Sequence, residues 1–291
     1  MRARASRATP TAGAGPLVTT APGMQIATWD LGGEGPELIL VHGTGFHGRC
    51  WAPMAPVLGR SFHVWALDQR GHGQSGHSAD RAYDDWGRFV DDLLAVIDRL
   101  GLERPFAAGH SLGGAVAILA EQHRPGTFAG IYAYEPIIIP PPVIALAEGN
   151  RRLRDLALKR RNVFDSVGAA RANFAPKPPF DRFDPAVLDA YLEGGLSIQP
   201  DGTVALSCPG DEEASVYEGA TLHHAYDRLG EMNLPVTVAG SAERGDIGPE
   251  LLSDLAGRIP GARLEPLRGV THFGPMEEPG RVADEMARAL L

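Results

Sequence analysis

The sequence predicts an α/β protein with a doubly wound, mostly parallel sheet and an inserted helical cap. Short apolar runs, most of them followed by Gly or an acidic residue, recur along the chain, as expected for strands that are buried on both faces. Helical patterns lie between several of these runs, and such alternation builds a parallel sheet with helices on both faces. With 291 residues, 44% of them hydrophobic, the chain is long enough to bury one large core.

Seven apolar runs have the length and composition of strands. They lie at residues 24–31, 37–43, 62–68, 105–111, 128–135, 234–240 and 262–267. Three segments carry apolar residues at helical spacing, at residues 83–101, 113–125 and 279–291. Gly101 follows the first of them at a position where helix ends favour glycine.

Residues 137–225 interrupt this alternation. The segment begins with IIIPPPV, whose prolines exclude a helix or a central strand, and continues with helical patterns but no core-strand pattern. It is too short to favour a second independent domain. We therefore expect a flexible N-terminal tail over residues 1–22, an α/β core made of residues 23–136 and 226–291, and a helical cap, or lid, over residues 137–225.

Composition restricts the partners and the compartment. The formal net charge is −9 and no compact basic patch stands out, so we expect no nucleic-acid partner. No apolar stretch is long enough to span a membrane, and the N-terminus lacks the apolar core of a secretory signal. Cys50 and Cys208 are far apart and in no metal-ligand spacing, which fits a reducing, cytoplasmic compartment. No motif predicts a metal or another cofactor.

The sequence GHSLG at residues 109–113 points to a nucleophilic serine. It fits the pattern G-x-S-x-G, and it lies between a predicted strand and a predicted helix, which is the context that this pattern requires. A serine on so sharp a turn adopts a strained backbone and needs small neighbours, which Gly109 and Gly113 provide. Ser111 is therefore the candidate nucleophile.

His272 is the candidate general base among ten histidines. It lies in GVTHFGPMEEP, after the last predicted strand and before the last helix, and so in a loop at the edge of the sheet where ligands of such folds bind. We expect His42 to shape the loop that follows its strand. We expect His110 to point away from the serine.

An oxyanion would need two backbone N–H donors. One is expected from Leu112, the residue after the serine. The other is expected from the glycine-rich loop HGTGFHG at residues 42–48, with Thr44 as the first choice and Gly45 as the second.

The chain resembles the α/β-hydrolase fold family in four ordered motifs. These are the HG-x-G loop at residues 42–45, DQRGHGQS at 68–75, GHSLGG at 109–114 and the segment around His272. The resemblance covers residues 24–291 apart from the cap. It implies a serine hydrolase that needs no cofactor, and it implies that Asp68 and Arg70 hold a loop rather than take part in catalysis.

The third member of a Ser-His-acid triad stays open between two glutamates. Most of the family has Asp in a G-x-x-D pattern after the strand that corresponds to residues 234–240, where this sequence has Glu243, with Asp246 as a more distant candidate. A branch that resembles haloalkane dehalogenases takes the acid from the position of Glu135. We favour Glu135, because a carboxylate that ends an apolar strand should be desolvated and close to the base.

The expected reaction is hydrolysis of an acyl bond in a small molecule, most simply a carboxylic ester or a lactone, through an acyl-enzyme. Hydrolysis of a C–C bond, perhydrolase or acyltransferase activity on the same triad, and a non-catalytic small-molecule receptor are the alternatives. The apolar cap residues expected to line the substrate pocket are Ile137, Ile138, Phe164, Phe174, Phe180 and Tyr191.

Overall fold

The computed structural model describes residues 13–140, 144–243, 245 and 247–291. An eight-stranded sheet forms the centre of the fold. Its strands are β1 (Gly13–Ala14), β4 (Thr28–Gly32), β5 (Glu37–Val41), β6 (His63–Leu67), β7 (Phe106–His110), β8 (Ile131–Tyr134), β12 (Val236–Ser241) and β13 (Arg263–Leu267). The order across the sheet is β1-β4-β6-β5-β7-β8-β12-β13. Six of these strands run parallel to one another, namely β6, β5, β7, β8, β12 and β13. Strand β4 is antiparallel to β6 and to β1.

Helices cover both faces of this sheet. They are α1 (Ala55–Leu58), α2 (Gly87–Leu100), α3 (Leu112–His123), α8 (Pro249–Arg258), α9 (Gly274–Glu277) and α10 (Pro279–Leu290), with 3-10 turns at Gly48–Met54 and Tyr226–Glu231. One buried cluster packs α2, α3 and α8 against the sheet, and a second packs α1 and α10 against the other face. These layers confirm the predicted fold class. Gly101 ends α2 in the left-handed region, with φ 66°, as expected.

The predicted strand at residues 24–31 is divided into two. Residues Met24–Ile26 form β3, which pairs with β2 (Val18–Ala21) in a separate two-stranded sheet, and only Thr28–Gly32 joins the large sheet. The chain divides at Ala27, whose N–H is donated to Ser75 Oγ (2.8 Å) instead of to a neighbouring strand. Strands β1 and β2 also correct the expected tail of residues 1–22: residues 13–14 and 18–21 are held by backbone pairing.

The segment between β8 and β12 adds no strand to the large sheet in its described part. It contains α4 (Ile144–Ala157), α5 (Val167–Phe174), α6 (Pro185–Gly195) and α7 (Gly210–Gly219), a 3-10 turn at Phe180–Arg182, and a small antiparallel sheet of β9 (Val163–Phe164), β10 (Leu196–Ile198) and β11 (Val204–Leu206). We call residues 137–225 the insertion. It has its own buried cluster, in which Phe46 and Met276 of the core also take part.

Within the described residues, no helix is both long enough and apolar enough to cross a membrane.

Candidate active site

Ser111 lies on a strained turn between β7 and α3. Its backbone has φ 56° and ψ −118°, a conformation that L-residues rarely adopt. The turn is possible because a Cβ atom on Gly113 would lie 2.1 Å from the carbonyl oxygen of Val41, and one on Gly109 would lie 2.4 Å from the backbone of Gly113. The Ser111 N–H is donated to the carbonyl oxygen of Tyr134 (2.9 Å), which ties this turn to the end of β8.

The structure brings Glu135 to His272. The imidazole Nδ1 lies 2.6 Å from Glu135 Oε2, and the glutamate side chain is 1% exposed. The other carboxylate oxygen, Oε1, accepts the N–H of Ser241 (2.8 Å), so both oxygens have a donor. A carboxylate in this position holds the proton of a neutral imidazole on Nδ1 and leaves Nε2 free to accept one.

Among the described residues, the alternative acid Glu243 forms no hydrogen bond with His272. Glu243 is exposed, and its backbone N–H is donated to Ser241 Oγ (3.0 Å). Asp246 lies outside the described residues. The contact with His272 is therefore made by Glu135.

The glycine-rich loop after β5 passes close to Ser111. A Cβ atom on Gly43 would lie 3.2 Å from the Ser111 Cβ. The Gly45 N–H is already donated to His72 Nε2 (3.0 Å), which removes the second-choice oxyanion donor, whereas Thr44 lines the same cavity as Ser111. Leu112 is the first residue of α3, where backbone N–H groups have no acceptor inside the helix.

Two buried histidines hold this loop in shape. His42 accepts the Gln69 N–H at Nε2 (2.8 Å) and donates from Nδ1 to the carbonyl oxygen of Gly43 (2.7 Å). His72 donates from Nδ1 to the carbonyl oxygen of Arg70 (2.9 Å). Burial lowers the pKa of His72 to about 4 and lowers the pKa of His42 well below its usual value. Both rings are therefore neutral near pH 7 and act as fixed hydrogen-bond partners.

The charged side chains of the DQRGHGQS motif form structural hydrogen bonds. Asp68 accepts the Trp29 Nε1–H (2.8 Å) and the backbone N–H groups of Gly48 (2.7 Å) and Gln74 (2.8 Å). Arg70 forms two hydrogen bonds with Asp92, at 2.6 and 2.9 Å. These contacts use the polar groups of both side chains to hold loops.

His110 faces the site instead of pointing away from it. Its Nε2–H is donated to the carbonyl oxygen of His272 (2.8 Å), and the two ring centroids are 4.7 Å apart. Burial, together with His272, lowers the pKa of His110 well below its usual value, so the ring is neutral. The expected orientation of His110 was wrong because the end of β7 lies beside the loop that carries His272.

Ser111 and His272 line one cavity of about 190 Å³. Of the predicted lining residues, Ile137 belongs to it. Ile138 does not: it is fully buried in the core, whereas Ile139 lines the cavity.

The prediction that four aromatic residues of the insertion line the cavity was also wrong. Phe164, Phe174, Phe180 and Tyr191 pack on one another inside the insertion, with the ring centroids of contacting pairs 4.9–5.8 Å apart, and form its core. Side chains that the sequence analysis did not select line the cavity instead: Phe46, Trp86, Tyr217, Ile247 and Phe273. No sequence pattern distinguishes these from other buried aromatic and aliphatic residues. Among the described residues, no group of three or more His, Cys, Asp or Glu side chains is arranged to hold a metal ion.

The sequence matches known proteins in the same region. A sequence model of the alpha/beta hydrolase family matches residues 38–285. Human monoglyceride lipase (Homo sapiens) is 37% identical over 141 residues, which are 46% of this chain and 45% of the human enzyme. The monoglyceride lipase of Rattus norvegicus is 36% identical over 184 residues, 59% of each chain. The chain therefore spans about half the length of these relatives.

Solved structures share the fold over nearly the whole chain. The structure of an E-2-(acetamidomethylene)succinate hydrolase has a TM-score of 0.83 at 18% identity and covers 96% of this chain and 99% of its own. A thermophilic esterase from Thermogutta terrifontis has a TM-score of 0.72 at 24% identity, with coverage of 97% and 98%. At these identities the likeness establishes the fold alone.

Proposed function

Because the chain belongs to the alpha/beta hydrolase family, we propose that it is a serine hydrolase that cleaves a carboxylic ester or lactone through an acyl-enzyme. The observation that carries this proposal is the 2.6 Å contact between the buried Glu135 and His272. His272 lines the same cavity as Ser111, which lies on its strained turn. The similarity to two monoglyceride lipases supports an ester substrate.

In this mechanism Ser111 Oγ attacks the carbonyl carbon of the substrate. His272 takes the hydroxyl proton at Nε2 and then donates it to the leaving alcohol. Glu135 orients the ring through Nδ1 and stabilises the imidazolium ion. Water, activated by the same histidine, then attacks the acyl carbonyl and releases the acid, which restores the free serine.

The backbone N–H groups of Thr44 and Leu112 are the proposed donors for the oxyanion. Thr44 is supported by the close approach of its loop to Ser111 and by the engagement of the Gly45 N–H by His72, and Leu112 by its place as the first residue of α3. Donors fixed before the reaction stabilise the developing charge without reorganisation of the site. The insertion is proposed to act as the lid of the site, since Tyr217 and Ala220, at the C-terminal end of α7, line the cavity.

We also propose a small-molecule substrate and a cytoplasmic location. The second proposal is supported by Cys50 and Cys208, which are both buried free thiols, as expected in a reducing compartment.

The test is release of p-nitrophenol from p-nitrophenyl butyrate by the purified chain. We expect wild-type turnover, with a loss of at least about 10³-fold in Ser111→Ala. Ser197→Ala is the matched control, because Ser197 is an exposed serine of the insertion, and it should keep wild-type activity. A receptor on the same fold would show no turnover, and equal rates for wild type and Ser111→Ala would exclude Ser111 as the nucleophile.

A further inference from the structure

Trp86 stands between two cavities. One is the cavity that contains Ser111 and His272, about 190 Å³ in volume. The other is an open groove of about 570 Å³ at the start of α2, lined by polar side chains such as Asp84, Asp85 and His224. Among the described residues that line either space, Trp86 is the only one common to both.

Contacts from the insertion fix the indole of Trp86 in this position. Its Nε1–H is donated to the carbonyl oxygen of Val216 in α7 (3.0 Å). The ring stacks on His223, with centroids 4.8 Å apart, and His223 in turn donates from Nε2 to the carbonyl oxygen of Ile137 (3.0 Å). Only 3% of Trp86 is exposed, so these contacts leave the side chain packed on nearly all sides.

The cavity that contains Ser111 is small and mostly apolar, although Thr44, Asn150 and the catalytic candidates add polar groups to its lining. Its lining includes Phe46, Ile137, Ile139, Ile247 and Phe273. An apolar cavity of about 150 Å³ holds a benzene ring, so about 190 Å³ holds a group of about six to eight carbon atoms. Such a surface favours an uncharged hydrocarbon group, because a charged group would lose its hydration there.

We propose that Trp86 sets the size limit of the substrate: the site takes neutral esters with a compact apolar group, and the indole prevents a longer chain from reaching the groove. This inference rests on the proposed function of the same site. Because Trp86 lines both spaces, we expect removal of the indole to open the cavity toward the groove, so that a chain longer than about eight carbon atoms can extend toward solvent.

The experiment measures kcat/KM over two series of esters. In the first, the acyl group of p-nitrophenyl esters grows from acetate to laurate; in the second, the alcohol part of alkyl acetates grows over the same range. The series in which wild-type kcat/KM falls with length identifies the group that occupies the cavity. We expect Trp86→Ala to raise the ratio of long-chain to short-chain kcat/KM by about 10- to 200-fold in that series, the range over which a pocket discriminates by size.

Leu222→Ala is the matched control. Leu222 lines the groove but not the cavity and is 58% exposed, so its removal should leave the chain-length profile unchanged. Trp86→Phe provides a second variant if Trp86→Ala does not fold: it keeps an aromatic ring in the core and should move the profile in the same direction by a smaller factor. A thermal melt of each variant establishes that it is folded.

The outcomes separate this inference from the proposed function. If wild type hydrolyses no ester in a Ser111-dependent way, the proposed function fails. If wild type is active but already prefers laurate to butyrate, or if folded Trp86 variants keep the wild-type profile in both series, the role of Trp86 is overturned while the proposed function stands.

Discussion

Hydrogen bonds fix both the side chain and the backbone of Glu135. Its two side-chain oxygens are used by His272 and Ser241, and its own N–H is donated to the carbonyl oxygen of Ala239 (2.8 Å). Its backbone lies in the left-handed region, with φ 43°, which is a strained position for a glutamate. Strain at a buried, fully bonded carboxylate is typical of a functional position, and it agrees with a role for Glu135 in orienting His272.

Sequence reasoning was most informative for residues whose role depends on the backbone. Ser111 was predicted because the strand–turn–helix context and the flanking glycines leave few other conformations. The choice between Glu135 and Glu243 could be made only from the structure, because it depends on which loop reaches the imidazole of His272. The cavity lining was mostly missed, since hydrophobicity alone does not tell whether an aromatic ring faces a substrate or another ring.

The buried neutral ring of His72 predicts loss of stability in acid. Its pKa of about 4 in the folded chain lies below the usual 6.5, so between these values the unfolded chain binds more protons and the free energy of unfolding falls as pH falls. For this residue the loss between pH 7 and pH 5 is about 2 kcal/mol. Urea titrations at both pH values measure it.

The comparison variant is His72→Gln, which cannot be protonated in this range. It should be less stable at pH 7, because the bond from the Gly45 N–H is disturbed, but its further loss at pH 5 should be smaller than that of wild type. An equal loss in the two proteins would mean that His72 does not contribute to the acid sensitivity.

At the scale of elements, an ion pair of the insertion, with 20% and 7% of its two side chains exposed, contacts the glycine-rich loop at residues 42–48. Arg160, after α4, pairs with Glu213 of α7 and donates to Tyr191 Oη of α6 (2.9 Å). A Cβ atom on Gly45 would lie 3.1 Å from Glu213 Oε1, so this pair is in contact with the loop that carries Thr44. Three parts of the insertion are thereby joined directly above the core.

This pair predicts a non-additive pattern of stability. Arg160→Met leaves Glu213 as a buried, uncompensated charge, which should lower the free energy of unfolding by about 3–5 kcal/mol. Adding Glu213→Gln removes that charge and should recover a large part of the loss. Chemical denaturation of the wild type, both single variants and the double variant gives the coupling energy. If the double variant is less stable than Arg160→Met, the two side chains do not act as a pair.

Helices and strands could be predicted where the hydrophobic periodicity agrees with the glycine or proline residues that flank the segment. Helix α2 ends at Leu100 and is followed by Gly101, as predicted, and α10 lies within the predicted segment 279–291. The break at Ala27 could not be read from the sequence, because it depends on a hydrogen bond that the Ala27 N–H donates to a side chain 48 residues away. The small sheet of the insertion was missed because its strands have only two or three residues, too short for a period.

At the scale of the whole molecule, distant parts of the chain meet at one edge of the sheet. The loop after β5, the turn after β7, the end of β8 and the loop after β13 follow parallel strands, so they converge at the carboxyl ends. The sequence predicted this edge for the loop that carries His272, because that loop follows the last predicted strand. The insertion could be delimited from sequence by its loss of alternation, but its position over Ser111 follows only from its packing on the core.

The most direct test of the proposed mechanism compares Glu135→Gln with Glu243→Gln. An amide beside Nδ1 would hold the wrong imidazole tautomer, so kcat for an ester that wild type hydrolyses should fall by about 10⁴-fold in Glu135→Gln. The exposed Glu243 makes a matched control, whose replacement should change kcat by no more than about twofold. The reverse ranking, or equal rates in both folded variants, would contradict the assignment of Glu135 as the acid that serves His272.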